Sequence, residues 1–167
     1  MCSSVLPADA LTDLLVKLYE LPQLPDDLDG VEIRRALAPE RGVVLKWFEN
    51  EFSPGWASEA AVAFGGQPIR CLVAVKDEQL LGAACFNTTF RGFFGPIGIR
   101  EDARGGQLGK TLTIAALRAM REEGFAYAVI GATKAEAFFK RSVGAIEIPD
   151  SWPGAYEGML PTREGSS

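Results

Sequence analysis

The stretch "GPIGIREDARGGQLGKTLTIAALRAM", Gly95 to Met120, constrains this chain more than any other. It opens with a short apolar run and passes through a charged, glycine-rich turn. It then becomes helical in pattern, with Leu108, Leu112, Ala115, Ala116 and Met120 on one face and Gly124 placed to end the helix. A second apolar run, "AYAVIGAT", follows. Strand, turn, helix and strand in that order predict a parallel strand pair joined by a right-handed crossover. A chain with such a unit must build a sheet that carries helices on its face.

The flanking segments extend that sheet. "VEIRRALA" alternates as a half-buried strand does, and Pro39 suits the first turn of a helix over "PERGVVLKWFENEF". Ser53 as N-cap and Pro54 just inside begin a second helix. "IRCLVAV" and "LLGAACFNTT" flank "KDEQ" at hairpin spacing, "FFGPIGI" adds a strand, and "KAEAFFKRSV" is a further helix. "AIEI" and "YEGML" are expected to pair as a terminal hairpin. At the front, Leu11, Leu14, Leu15 and Leu18 recur at helical spacing before Pro22, which predicts an added N-terminal helix. With the Pro- and Asp-rich connector "QLPDDLDG", it sets residues 1–30 apart from a main domain over residues 31–167. The 167 residues, 47% of them hydrophobic, suffice for one core.

Several kinds of chemistry are excluded by what is missing. There is no histidine, which removes Ser-His-Asp and Cys-His nucleophile systems and every His-ligated metal site. Proton transfer then falls to a carboxylate, Tyr, Cys, Lys, the substrate or water. No metal site is expected. The three cysteines, Cys2, Cys71 and Cys85, form no CxxC pair; Cys71 and Cys85 are expected to be small buried thiols facing each other across the hairpin. A net charge of −5 gives no footprint for nucleic acid or an anionic membrane surface. That field suits a cationic acceptor, though solubility alone also accounts for it. No apolar run nears the ~20 residues of a membrane span, and the start lacks a signal-peptide layout, so a cytoplasmic protein is expected.

The turn "ARGGQLGK" has the makings of a phosphate cradle. The first N–H groups of a helix lack partners, and the positive end of the helix dipole lies among them. Gly105 and Gly106 let backbone approach a ligand closely, Gly109 keeps the first helical turn thin, and Arg104 and Lys110 bring two cations. Neither a Walker A loop nor a Rossmann GxGxxG is present.

In the order of its elements, with "IGIREDARGGQLGKTLTIAAL", "FAYAVIGAT" and "AEAFFKRSVGA", the chain resembles the GNAT superfamily of acetyl-CoA-dependent N-acyltransferases over nearly everything beyond residue 30. The family motif (Q/R)xxGx(G/A) is met by Arg104 and Gly109, while Gln107 stands where glycine is usual. Gln107 is harmless if it lies in the first helical turn and strained if the position is left-handed; the first reading is preferred. The resemblance implies an α/β (α+β) fold, a splayed mixed sheet flanked by helices. It also implies coenzyme A bound by the backbone of Ile97, Gly98 and Ile99, and its pyrophosphate wrapped by Arg104, Gly105, Gly106, Gln107, Leu108, Gly109 and Lys110.

The implied reaction is transfer of acetyl from acetyl-CoA to a primary amine of a small-molecule or peptide acceptor, by direct attack in a ternary complex. The Ile99 N–H would serve as the oxyanion donor. Phe139 occupies the place of the family's proton-donating tyrosine, and a phenyl ring donates nothing. Phe138 and Phe139 are candidates to line the cofactor or simply to fill the core. Glu59 is a candidate base or a solvated helix glutamate. Trp56 can floor an amine pocket through a cation-π contact. Arg91 lies at the acceptor mouth or caps a strand end. Tyr127 and Tyr156 are alternative proton donors that the sequence cannot place. A catalytically inactive acyl-CoA-binding module is the alternative function, and a homodimer through terminal strands is a family-based expectation.

Overall fold

The computed structural model describes residues 11–25 and 28–162; Cys2 lies outside the described residues. Seven strands form one sheet: β1 (Thr12–Lys17), β2 (Glu32–Arg35), β3 (Cys71–Lys76), β4 (Gln79–Phe86), β5 (Phe93–Ile99), β6 (Tyr127–Thr133) and β7 (Ile146–Ile148). Four helices flank it: α1 (Arg41–Glu51), α2 (Pro54–Ala63), α3 (Leu108–Glu122) and α4 (Glu136–Val143). Spatial order across the sheet is β2-β3-β4-β5-β6-β1-β7.

Local chemistry accounts for most boundaries. Ser53 caps α2 through its Oγ, which accepts the Trp56 N–H at 3.2 Å, and Pro54 follows inside the helix. Asp77 and Glu78 make the two-residue hairpin turn between β3 and β4 with φ of 49° and 60°, the left-handed pair that such turns demand. Cys71 and Cys85 face each other in that hairpin as buried free thiols, and burial holds the Cys85 thiol well above its ordinary value.

Two expectations are corrected. Residues 12–17 form a strand, not a helix, and this strand is an interior one, antiparallel to β6 on one side and β7 on the other. Its leucines do recur at helical spacing, but Leu14, Val16 and Leu18 are all fully buried on one face of the sheet. An inner strand covered on both faces loses the alternation that would mark it in sequence. β7 consequently pairs with β1, and no hairpin with "YEGML" forms; residues 154–156 make a 3-10 turn instead.

Two cores lie on opposite faces. Leu72, Ala84, Phe86, Phe94, Ile130, Leu14 and Val16 pack beneath α3 and α4, while Cys71, Val73, Ala83 and Cys85 pack with Val44, Phe48, Ala60 and Ala63 of α1 and α2. β5 and β6 are parallel and register only at Phe93↔Val129 and Phe94↔Ile130. Beyond those pairs the strands part, opening a fork in the middle of the sheet. No described helix is long and apolar enough to cross a membrane.

Candidate active site

The turn that enters α3 stands beside this fork. Gly105 has φ +87°, a conformation that glycine alone enters without strain. Gln107 is helical, with φ −86° and ψ −5°, so the residue that departs from the family motif costs the backbone little. The first helical bond is from the Thr111 N–H to the Gln107 carbonyl at 2.9 Å. Among the described residues, the N–H groups of Gly105, Gly106, Gln107, Leu108, Gly109 and Lys110 therefore have no partner in the protein. Lys110 makes no ion pair among them either. Six free donors and a free ammonium at the positive end of a 15-residue helix suit a pyrophosphate.

β5 supplies the second element. The Arg100 N–H bonds to the Leu81 carbonyl at 2.8 Å, so the alternation of the ladder turns the backbone groups of Ile97 and Ile99 away from β4, into the fork. Arg104 already uses one of them: its Nε donates to the Ile99 carbonyl at 2.8 Å, and its guanidinium lies 5.8 Å from the centre of the Phe52 ring. The Phe52 ring rests on Gly98, where any side chain would collide with it. Trp56 stacks on the same Phe52 ring, with centroids 4.7 Å apart.

α4 packs beside the turn that enters α3. Phe138 is half-buried and approaches Gly109, whose Cβ, if it had one, would lie 3.5 Å from the ring. Phe139 is only 3% exposed and packs edge-on against Phe94 and Phe138. It is thus a core residue and not part of a cofactor surface, because the helix turns it inward under the sheet. Neither ring carries an ionisable proton.

On the α2 face of the sheet, the structure places Tyr156, which the sequence could not, and adds Asp13, which sequence reading missed. The hydroxyl of Tyr156 comes down onto β6 at Gly131, and a side chain at that position would run into both the hydroxyl and the Phe93 ring. One residue on, Asp13 Oδ1 accepts the Ala132 N–H at 2.7 Å; Asp13 is 6% exposed. Glu59, half-buried on α2, accepts a hydrogen bond from the Thr89 hydroxyl, and the next residue, Phe90, packs edge-on to Tyr156 at 5.9 Å. Burial first, then the charges of Glu59 and Asp13, push the Tyr156 phenol up to about 12. Arg91 is exposed in the same loop and makes no ion pair among the described residues. Tyr127 is remote, paired with the Tyr19 hydroxyl at 3.2 Å.

The chain's relatives agree with this architecture. The model of the Acetyltransferase (GNAT) family matches residues 40–145. Among solved structures, a GCN5-related N-acetyltransferase from Sphaerobacter thermophilus superposes with a TM-score of 0.66 at 16% identity, over 83% of this chain and 49% of that one. A Drosophila protein gives 0.65 at 21% identity, over 82% of this chain and 47% of that one. The Escherichia coli GNAT family N-acetyltransferase YhbS, solved in complex with CoA, gives 0.50 at 21% identity, over 62% of this chain and 63% of that one. The chain thus spans about half the length of the first two. Comparison with curated proteins gives no match.

Proposed function

The chain belongs to the GNAT acetyltransferase family, whose acetyl donor is acetyl-CoA, and from that premise we propose that it acetylates a primary amine by direct attack in a ternary complex. The observation that carries the proposal is the row of six unpartnered N–H groups next to the freed edge of β5. The residues present fit the cofactor. Residues 105–110 and the Lys110 ammonium hold the pyrophosphate, and the backbone of Ile97 and Ile99 meets the amides of the pantetheine arm as a partial added strand. Arg104, which here donates to the Ile99 carbonyl, would supply a further cation to the phosphates. Acetyl-CoA, when bound, supplies a thioester carbonyl open to attack by an amine.

The Ile99 N–H, turned into the fork, would serve as a hydrogen-bond donor to the thioester carbonyl oxygen. Glu59 accepts the acceptor's ammonium proton at a carboxylate oxygen, directly or through water. No proton donor on α4 is needed, because a thiol with an ordinary pKa of about 8.5 is a tolerable leaving group that water can protonate.

A second reading, a CoA-binding module without turnover, draws on the absence of any hydroxyl at Phe138 and Phe139. The two are separated by melting curves with acetyl-CoA, CoA and ATP, together with thiol release on a panel of amines. At 100 times its Kd, either CoA species adds about 2.7 kcal/mol, a rise of roughly 5 to 10 °C. The rise should be absent with ATP and lost in Arg104→Ala/Gly109→Glu. Binding without thiol release would select the second reading, and no shift with either CoA species would refute both.

A further inference from the structure

Arg104 reaches from one half of the cofactor site into the other. Its backbone belongs to the turn: it follows the 3-10 turn Glu101–Ala103, donates its N–H to the Glu101 carbonyl at 3.3 Å, and precedes Gly105, where the run of free N–H groups begins. Its side chain folds back onto β5 instead. Nε donates to the Ile99 carbonyl at 2.8 Å, and the guanidinium lies 5.8 Å from the centre of the Phe52 ring. That ring is itself fixed, stacked on Trp56 at 4.7 Å, edge-on to Trp47 at 5.5 Å and resting on Gly98. The guanidinium thus sits in a place built from a strand carbonyl and a braced aromatic ring.

The carbonyl that Arg104 occupies is one the fork exposes. Ile99 stands opposite Gly82 of β4, and the bond from the Arg100 N–H to the Leu81 carbonyl turns the Ile99 backbone groups away from β4. β6 registers with β5 only as far as Phe94, so no strand meets the Ile99 carbonyl and Arg104 takes the place of a strand donor. No carboxylate holds the guanidinium there. Arg104 makes no ion pair among the described residues, and Asp102 is bonded to Arg100 at 2.5 and 3.0 Å. A guanidinium makes paired, charge-assisted hydrogen bonds to a phosphate but a single bond to a neutral carbonyl, so a phosphate in the turn attracts it more strongly than Ile99 does. Arg104 is exposed, and a phosphate meets it without any opening of the core.

We infer that Arg104 is a latch that couples the two halves of the cofactor site: with the turn empty it covers the Ile99 carbonyl, and a diphosphate bound at residues 105–110 draws it off and frees that carbonyl for an amide N–H of the pantetheine arm. This rests on the acetyl-CoA reading of the turn and of β5. A pantetheine arm alone meets a strand edge that is already taken, whereas the nucleotide half meets an open turn. Each half therefore helps the other to bind, and by linkage the help is equal in both directions. The latch also sets a selectivity, since an amide-bearing chain without a diphosphate has nothing to move Arg104 aside.

The test is NMR titration of the backbone amides of the full chain with pantetheine, with 3′-phospho-ADP as the nucleotide half, and with both. In the wild type, saturating 3′-phospho-ADP should tighten pantetheine binding about fivefold or more. Arg104→Met keeps the reach of the side chain without its charge or its N–H groups. It should bind pantetheine alone about as tightly as the wild type does with the nucleotide half present, bind 3′-phospho-ADP more weakly, and show no coupling. The gain in pantetheine affinity is decisive, because a residue that merely contacts phosphate or supports the fold would not produce it. Independent binding of the two halves in the wild type, pantetheine affinity unchanged or lowered in Arg104→Met, or coupling that survives the variant overturns the latch. CoA binding with no pantetheine binding to either protein does so too. If CoA itself does not bind, the acetyl-CoA reading falls and the latch falls with it.

Discussion

Gly131 and Tyr156 are shaped for each other. A methyl group at 131 would overlap the Tyr156 hydroxyl and press on the Phe93 ring, which is itself packed 5.0 Å from Phe90. Gly131→Ala should therefore destabilise the fold by about 1–3 kcal/mol, the usual range for overpacking. Tyr156→Phe in the same background should recover part of that loss, since it removes the atom struck hardest. Urea unfolding of the two variants measures both numbers, and no recovery in the double variant would mean that the hydroxyl does not rest on β6. The residue scale also shows which parts of the site can be read from sequence. Gly105, Gln107 and Lys110 sit within one turn of each other, so their helix-start chemistry is local and legible. Asp13 and Tyr156 come from β1 and the C-terminal segment, and no local pattern announces that both reach neighbouring residues of β6.

Among the elements, β2 and α1 are joined by a clasp between Arg34 and Glu40. The Arg34 guanidinium bonds both carboxylate oxygens at 2.9 and 2.6 Å, and Glu40 also accepts the Leu37 N–H at 2.7 Å. Arg34 first, and the Leu37 N–H after it, hold the Glu40 carboxyl below its ordinary value of 4.5. A carboxyl lowered in the folded state contributes stability that is full above that ordinary value and lost as pH falls through the folded one. Both side chains are about 30% exposed, so Glu40→Gln should cost only about 1 kcal/mol at pH 7. Wild type and variant should draw together as pH falls below 4.5 and through the lowered folded value. Denaturation midpoints at pH 7 and pH 3 check this; a gap that persists at pH 3 would assign the effect to packing. Elements whose ends carry strong signals, α2 with Ser53 and Pro54 or the hairpin turn at Asp77 and Glu78, were readable. β1 was not, because four leucines at helical spacing also serve an inner strand, and its partners β6 and β7 lie more than a hundred residues away.

For the whole molecule, β1 decides whether the two ends of the chain and the fork form one unit. It lies between β6 and β7, puts Leu14 and Val16 into the core beneath α3 and α4, and puts Asp13 on the opposite face. Both the Asp13 carboxylate bonded to Ala132 of β6 and the anchor of the C-terminal segment, through Ser151, thus depend on β1 staying in place. Leu14 is fully buried, and Leu14→Ala should cost about 2–5 kcal/mol, the range for such truncations in a packed core. If the sheet is one cooperative unit, that loss should appear equally far away. Trp47 and Trp56 belong to α1 and α2, across the sheet from Leu14, while Trp152 lies in the C-terminal segment against Tyr156. Variants keeping either Trp47 and Trp56 or Trp152 alone should unfold at coincident denaturant concentrations, and Leu14→Ala should lower all of them together. A transition that moves at Trp152 but stays fixed at Trp47 and Trp56 would mean that β1, β7 and the C-terminal segment open as a separate unit, leaving β5 and the turn into α3 intact.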